Sequence, residues 1–336
     1  MQKRLGARTL QLSEPPAVLS CAAVVGKKEG EGPLKDRFDR ISEDSYFGEK
    51  TWEKAESHMH SQCFSLVCDK AGLSPSALDF VLSGDLLNQC AGSVFALRDC
   101  AVPLIGLYGA CSTMAESLGL GALLIDGGFA QTVCALTGSH FCSAERQYRF
   151  PLEYGGQRPP TAQWTVTGSG AVILGKTGML RVTHVTFGRI VDAGITDAAS
   201  MGSAMAPAAF DTLYTHFRDT HRSPSDYDAI FTGDLGALGH DILQALFKAA
   251  GTELDARYMD CGVLIYDLRT QNVNAGGSGC GCSAAVLCGH ILKAMEEGVW
   301  RRVLFAATGA LMSPTTSQQW ERIPGICHAV AIERED

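Results

Sequence analysis

The stretch Ser74-Pro-Ser-Ala-Leu-Asp-Phe-Val-Leu-Ser-Gly-Asp-Leu86 returns 149 positions later as Ser223-Pro-Ser-Asp-Tyr-Asp-Ala-Ile-Phe-Thr-Gly-Asp-Leu235. Self-similarity over such a distance means two copies of one structural plan. A second match, Val133-Cys-Ala-Leu-Thr-Gly138 with Leu304-Phe-Ala-Ala-Thr-Gly309, has an offset of 171. That offset carries Cys111-Ser112 onto Cys282-Ser283 and Gly127 onto Gly298, so the helix after each Cys-Ser pair has the same length in both copies.

Each copy reads as helix, strand, loop, helix, strand. Trp52 to Ala71 has helical apolar spacing, and Phe80-Val-Leu is a short buried strand. Ser112 to Ile125 is helical, and Thr132 to Leu136 is again an apolar strand. Strands alternating with helices imply mostly parallel sheets covered by helices. The segments Ser112–Leu124 and Cys282–Leu292 have little polar surface, so these helices should lie between sheets. The expectation is an α/β protein: a duplicated α/β/α/β/α layered sandwich with two buried central helices. Gly175-Lys-Thr-Gly178 is a turn signal after the strand Ala171–Leu174. It divides the chain into halves 1–177 and 178–336, which should behave as one unit.

Composition narrows the function. With 336 residues, 46% of them apolar, the chain builds its core without staples. No apolar run approaches the roughly 18 residues of a membrane span, and Leu10 to Pro16 lacks the apolar core of a signal peptide. The protein is therefore expected to stay on the side of the membrane where it is made. Thirteen scattered cysteines suit buried thiols in a reducing compartment. A formal charge of −8, with no Lys/Arg cluster, argues against nucleic acid as a partner.

Duplicated α/β halves with a Cys at the start of the first buried helix resemble the thiolase-like superfamily, ketoacyl synthases included. A narrower set runs from about residue 18 to residue 332: Gly84-Asp-Leu-Leu-Asn-Gln89, Gly109-Ala-Cys-Ser-Thr113, Ala144-Glu-Arg-Gln-Tyr-Arg149, Glu153-Tyr-Gly-Gly-Gln157, Met201-Gly-Ser-Ala-Met-Ala-Pro207 and Gly276-Gly-Ser-Gly-Cys280. In this order they resemble the stage V sporulation AD family of endospore-forming bacteria. The resemblance implies a non-enzymatic part in moving dipicolinic acid into the developing spore and out at germination. The implied ligand is dipicolinic acid, free or as its calcium chelate. The implied partners are the membrane proteins of the SpoVA assembly, met at the cytoplasmic side of the spore inner membrane. The wider thiolase-like resemblance implies a homodimer as one option, and no cofactor is implied.

Cys111 occupies the nucleophile position. A thiol at a helix N-terminus gains thiolate character from the dipole and open N–H groups, but thiolase-type chemistry also needs a base and oxyanion donors. The loop Thr232-Gly-Asp-Leu-Gly-Ala-Leu-Gly239 has no His where synthases place one, and Gly276–Cys282 has neither His-Pro nor Asn. Cys111 is therefore expected to be a vestigial nucleophile lining a pocket. The alternative is an acyltransferase using Cys111 on a coenzyme A thioester. Cys280 and Cys282 lack a second pair for zinc, so no metal site is expected.

A dicarboxylate needs cations or N–H donors and an apolar wall. The candidate ligand-binding residues are Cys111, Ser112, His140, Arg146, Arg149 and Met205, with one carboxylate at the helix N-terminus beside Cys111. Each has a plainer reading. Ser112 and Thr113 cap the helix, His140 is a satisfied structural histidine, the arginines pair with Glu145 or Glu153, and Met201–Pro207 is a soft loop packing the halves together. Asp85 and Asp234 recur at equivalent strand ends, which argues for a structural role in both copies.

Overall fold

In the computed structural model, which describes residues 3–148 and 158–335, the sequence repeat becomes a repeat of strand order. The first half contains β1 (Ala17–Gly26), α1 (Trp52–Ala71), β2 (Phe80–Gly84), α2 (Ala91–Leu97), β3 (Leu104–Gly106), α3 (Thr113–Asp126), β4 (Val133–Ser139), α4 (Phe141–Tyr148) and β5 (Gly168–Gly175). The second contains β6 (Leu180–Thr186), α5 (Met201–Thr220), β7 (Ala229–Thr232), α6 (Gly236–Ala249), β8 (Tyr258–Asp260), α7 (Cys280–Val286), β9 (Arg302–Ala310) and β10 (Gly325–Arg334).

The first sheet runs β3-β2-β4-β5-β1 and the second β8-β7-β9-β10-β6. β2 pairs parallel with β4 and β7 with β9; β4 pairs antiparallel with β5 and β9 with β10. The two sheets are expected to be separate, but a single pair, Arg181 opposite Ala17, joins β6 to β1 and makes the path continuous.

Side-chain alternation sets the layers. Along β4, Val133 and Ala135 face a central core that contains Met114, Leu118 and Ala122 of α3 and Ala284 to Val286 of α7. Cys134 and Leu136 point the other way, against Met59, Phe64 and Val67 of α1. Along β9, Val303 and Phe305 face the central core, whereas Leu304 and Ala306 pack against Leu213 of α5 and Leu243 of α6. Both sheets are thus covered on both faces, and their inner strands read as continuous apolar runs. The order is helix, sheet, helix, sheet, helix, with α3 and α7 in the middle. Each fully buried Leu or Met of that middle layer contributes about 1.5–3 kcal/mol.

Two local expectations differ from the structure. Met201–Pro207 is no loop; it forms the first turns of α5, with Pro207 inside the helix. Its run of Ala and Met, strong helix formers, outweighs the single proline. The second central helix is regular only to Val286, after which Leu287–Ile291 widens into a π turn before Leu292–Glu296 resumes the helix.

Candidate functional site

The carboxyl ends of β2, β4, β7 and β9 converge where the halves meet, the edge at which open parallel sheets place ligands. There a cleft encloses about 480 Å³ of empty space, mouth included, of which only about 50 Å³ is free to the centre of a water molecule. Its wall is mostly apolar: Leu86, Ala110, Cys111, Ala310, Met201 and Met312, with Tyr108 and Tyr148. Tyr108 and Tyr148 join hydroxyls at 2.9 Å, and the Tyr148 hydroxyl donates to the Leu86 carbonyl at 2.9 Å. This ties α4 to the loop after β2.

Cys111 lies in a tight turn before α3. Ala110, just ahead of it, has φ +50°, a left-handed conformation uncommon outside glycine. Side chains hold the turn: Ser112 Oγ donates to the Gly109 carbonyl at 2.7 Å, and Thr113 Oγ1 donates to the Ala110 carbonyl at 2.7 Å while accepting the Gly109 N–H at 3.1 Å. β9 presses close behind. A Cβ on Gly309 would stand 2.4 Å from the Gly109 oxygen, so only glycine fits there.

The Cys111 thiol lies beside the Asp234 carboxyl and the Gly279 N–H, close enough for both to act on its ionisation. Asp234 is fully buried. Its Oδ1 accepts from Thr308 Oγ1 at 2.8 Å, and its Oδ2 accepts from the Gly279 N–H at 2.9 Å and Ser278 Oγ at 3.4 Å. Gly279 has φ +97°, and a short parallel pairing of Gly277–Ser278 with Trp164–Thr165 fixes its loop. Burial pushes the Asp234 carboxyl up to about 7. Burial and then the negative charge of Asp234 push the Cys111 thiol well above its ordinary range. Moving the thiol proton to Asp234 is therefore uphill, the reverse of what an activated nucleophile needs.

Of the candidate ligand residues that the structure describes, only Cys111 lines the cleft. Ser112 is buried beneath it in its bond to Gly109. His140 is 1% exposed; its Nε2 lies 2.7 Å from the Ser45 carbonyl and its Nδ1 accepts the Cys142 N–H at 3.2 Å, so Nε2 carries the proton and donates. Desolvation lowers its pKa and keeps the ring neutral. Arg146 faces away, 3.4 Å from Glu53 and over the Trp52 ring. Met205, on the buried face of α5, is in the core, and Met201, one turn earlier, reaches the cleft. Arg149 lies outside the described residues.

The sequence reading missed Arg158 altogether. Its guanidinium meets Glu145, a cleft-wall residue, at 2.8 Å and lies over the stacked rings of Phe141 and Trp164. The run of Arg158 to Trp164 carries no motif that would have marked it. Among the described residues, no group of three or more His, Cys, Asp or Glu could hold a metal ion, and no helix is long and apolar enough to cross a membrane. All thirteen cysteines carry free thiols.

Two central helices between duplicated sheets, with a cysteine at the head of the first, define a thiolase-like fold. The chain aligns at TM-score 0.61 with human mitochondrial 3-ketoacyl-CoA thiolase, at 12% identity, covering 97% of this chain and 99% of that one. It aligns at TM-score 0.59 with 3-oxoacyl-[acyl-carrier-protein] synthase III of Aquifex aeolicus, at 13% identity, covering 95% and 99%. At such identities the likeness is one of fold. The sequence goes further: residues 6–333 match the family stage V sporulation protein AD (SpoVAD), and the chain is 45% identical to stage V sporulation protein AD of Bacillus subtilis over 99% of its own length and 98% of that protein's. The chain belongs to the SpoVAD family of sporulation proteins.

Proposed function

We propose that the chain is a non-catalytic, dipicolinic acid-binding component of the machinery that moves dipicolinate into the spore and releases it at germination. It works peripherally, at the cytoplasmic face of the spore inner membrane, docked on the membrane proteins of the SpoVA assembly. The observation that carries the non-catalytic reading is the Cys111–Asp234 contact. A condensing enzyme sets a matched base or a cation against its nucleophile so that the thiolate forms; here burial first, and then the negative charge of Asp234, favour the protonated thiol. A narrow cleft walled by Tyr108, Tyr148, Met201 and Met312 suits a flat ring better than a long acyl chain.

Two measurements test this reading. Isothermal titration of the full chain with dipicolinic acid is expected to give saturable heat at one site. Incubation with acetyl- or malonyl-coenzyme A is expected to leave the intact mass unchanged. A stoichiometric acyl adduct on Cys111 would revive the acyltransferase reading, and absence of any binding heat would leave the cleft without its ligand.

A further inference from the structure

The cleft has two electrostatically different ends. At its floor, Leu86, Ala110 and Ala310 surround the Cys111 thiol, and directly behind the thiol lies the Asp234 carboxyl. A ligand carboxylate placed there would meet the Asp234 carboxyl across a desolvated gap and could be accommodated only while that group holds a proton. That argues against the helix N-terminus as the anion site, whatever its dipole offers.

The wall on the α4 side is different. Glu145 is 4% exposed there and is met by Arg158 at 2.8 Å. Arg158 is fixed from behind: its Nη1 donates to the Gln163 carbonyl at 2.9 Å, and the guanidinium lies 5.2 Å and 4.9 Å from the centroids of the Phe141 and Trp164 rings. Lys28 lies 4.3 Å from the centroid of the same Trp164 ring, so a second cation stands close by. A guanidinium has five N–H donors in a planar fork, and its aromatic support leaves that fork oriented without further ordering. Arg158 is thus a prealigned carboxylate receptor whose present guest is the protein's own Glu145.

We propose that Arg158 is the specificity-determining residue of the cleft: a carboxylate of an aromatic acid displaces Glu145 from it, while the ring lies inward against Tyr108, Tyr148 and Met201. This rests on the dipicolinate reading above and reverses the orientation that the helix N-terminus suggests. Glu145 then acts as an internal competitor, so the two members of one ion pair have opposite effects on binding. A merely structural ion pair has no such asymmetry.

The test is titration of the full chain and its variants with dipicolinate at constant ionic strength, with thermal melting as the check of fold. Arg158→Ala is expected to weaken binding about 10- to 100-fold, the range of a lost charge-assisted contact, and Arg158→Lys to recover part of it. Glu145→Gln, isosteric and free of the fold risk of the alanine variant, is expected to tighten binding. Arg146→Ala, on the outer face of α4, is expected to change nothing. If the parent binds and Glu145→Gln weakens it, or Arg158→Lys and Arg158→Ala bind as the parent does, the assignment of Arg158 is overturned and the ligand reading stands. If the parent chain itself gives no heat, the dipicolinate reading fails and the assignment falls with it.

Discussion

Asp85 and Asp234 occupy the same place in the two copies, directly after a Gly at the carboxyl end of a short parallel strand, yet they do different work. Asp85 closes its own loop: Oδ1 accepts the Leu87 N–H at 2.9 Å, and Oδ2 accepts the Ser93 N–H and hydroxyl, both at 2.7 Å. All three donors lie within eight residues. Asp234 reaches instead to Gly279 and Thr308, 45 and 74 residues away, and to Cys111 in the other half. The local task in its loop has passed to Asp260, which accepts the Leu235 N–H at 2.9 Å and the Gly236 N–H at 3.0 Å. Duplication conserves the position of a side chain; its partners decide its role. Once a second carboxylate clamps the loop, the first is available to face the interface between the halves.

The most severe test of that difference is Cys111→Asp. On sequence alone this change should exclude an anionic ligand and leave the fold largely intact. The structure alters the second expectation, because the new carboxyl would press against Asp234 in a buried gap. Burying an uncompensated charge costs about 3–5 kcal/mol, so denaturant unfolding at pH 8 should show a loss of that order. At pH 5 one shared proton relieves the repulsion, and the loss should shrink. Adding Asp234→Asn should restore most of the stability at pH 8. If the double variant is no more stable than Cys111→Asp, the two side chains do not interact.

Asp234→Asn alone should change a pH slope. The folded-state pKa of Asp234 is raised to about 7 by burial, above the unfolded value near 3.9. Its neutral form therefore favours folding. That contribution is complete below pH 4 and is lost as pH rises through 7, about 4 kcal/mol in total. Glu56, also raised to about 7, adds a slope of the same sign. The asparagine variant should keep the Glu56 share and lose its own, flattening the fall in stability between pH 5 and pH 8. An unchanged slope would mean that the Asp234 carboxyl ionises freely in the folded protein. Asp85→Ala is the counterpart. It orphans three buried donors around one loop and should cost about 2–3 kcal/mol, with faster amide exchange confined to residues 85–93 and dipicolinate affinity unaltered.

The contrast also explains what the sequence made legible. The fold was readable because each of its determinants is local: the 2.0 and 3.6 periodicities, the turn signals and the repeat itself. Trp52–Ala71 is a helix over the expected residues, and Phe80-Val-Leu begins β2. Cys111 was readable because a cysteine before an apolar helix is a local pattern. Asp234 was not, because its role depends on residues brought together only when the halves close, and Arg158 was not, because its partners meet only when the segments on either side of residues 149–157 fold together. Asp234 looked structural because its mate Asp85 is structural. Arg158 was hidden by its spacing, for nothing in sequence links it to Glu145 thirteen residues earlier. Met201 was obscured by the reading of its segment as a loop; helical periodicity puts Met201 and Met205 one turn apart, with only the first at the cleft.

The smallest expected effect is that of Cys111→Ala, and it decides what the thiol is for. The substitution removes the thiol beside Asp234, whose carboxyl keeps the Gly279 N–H and the Thr308 hydroxyl. Stability should fall by about 1 kcal/mol, and dipicolinate affinity should move by less than about tenfold, the equivalent of 1.4 kcal/mol. If the ring packs against the cleft floor and the anion is read at Arg158, the thiol is only part of an apolar wall and alanine nearly replaces it. A loss of binding as large as that expected for Arg158→Ala would place the decisive contact at the helix N-terminus. The repeat would then have kept at Cys111, as at Asp85, the role its position first suggests.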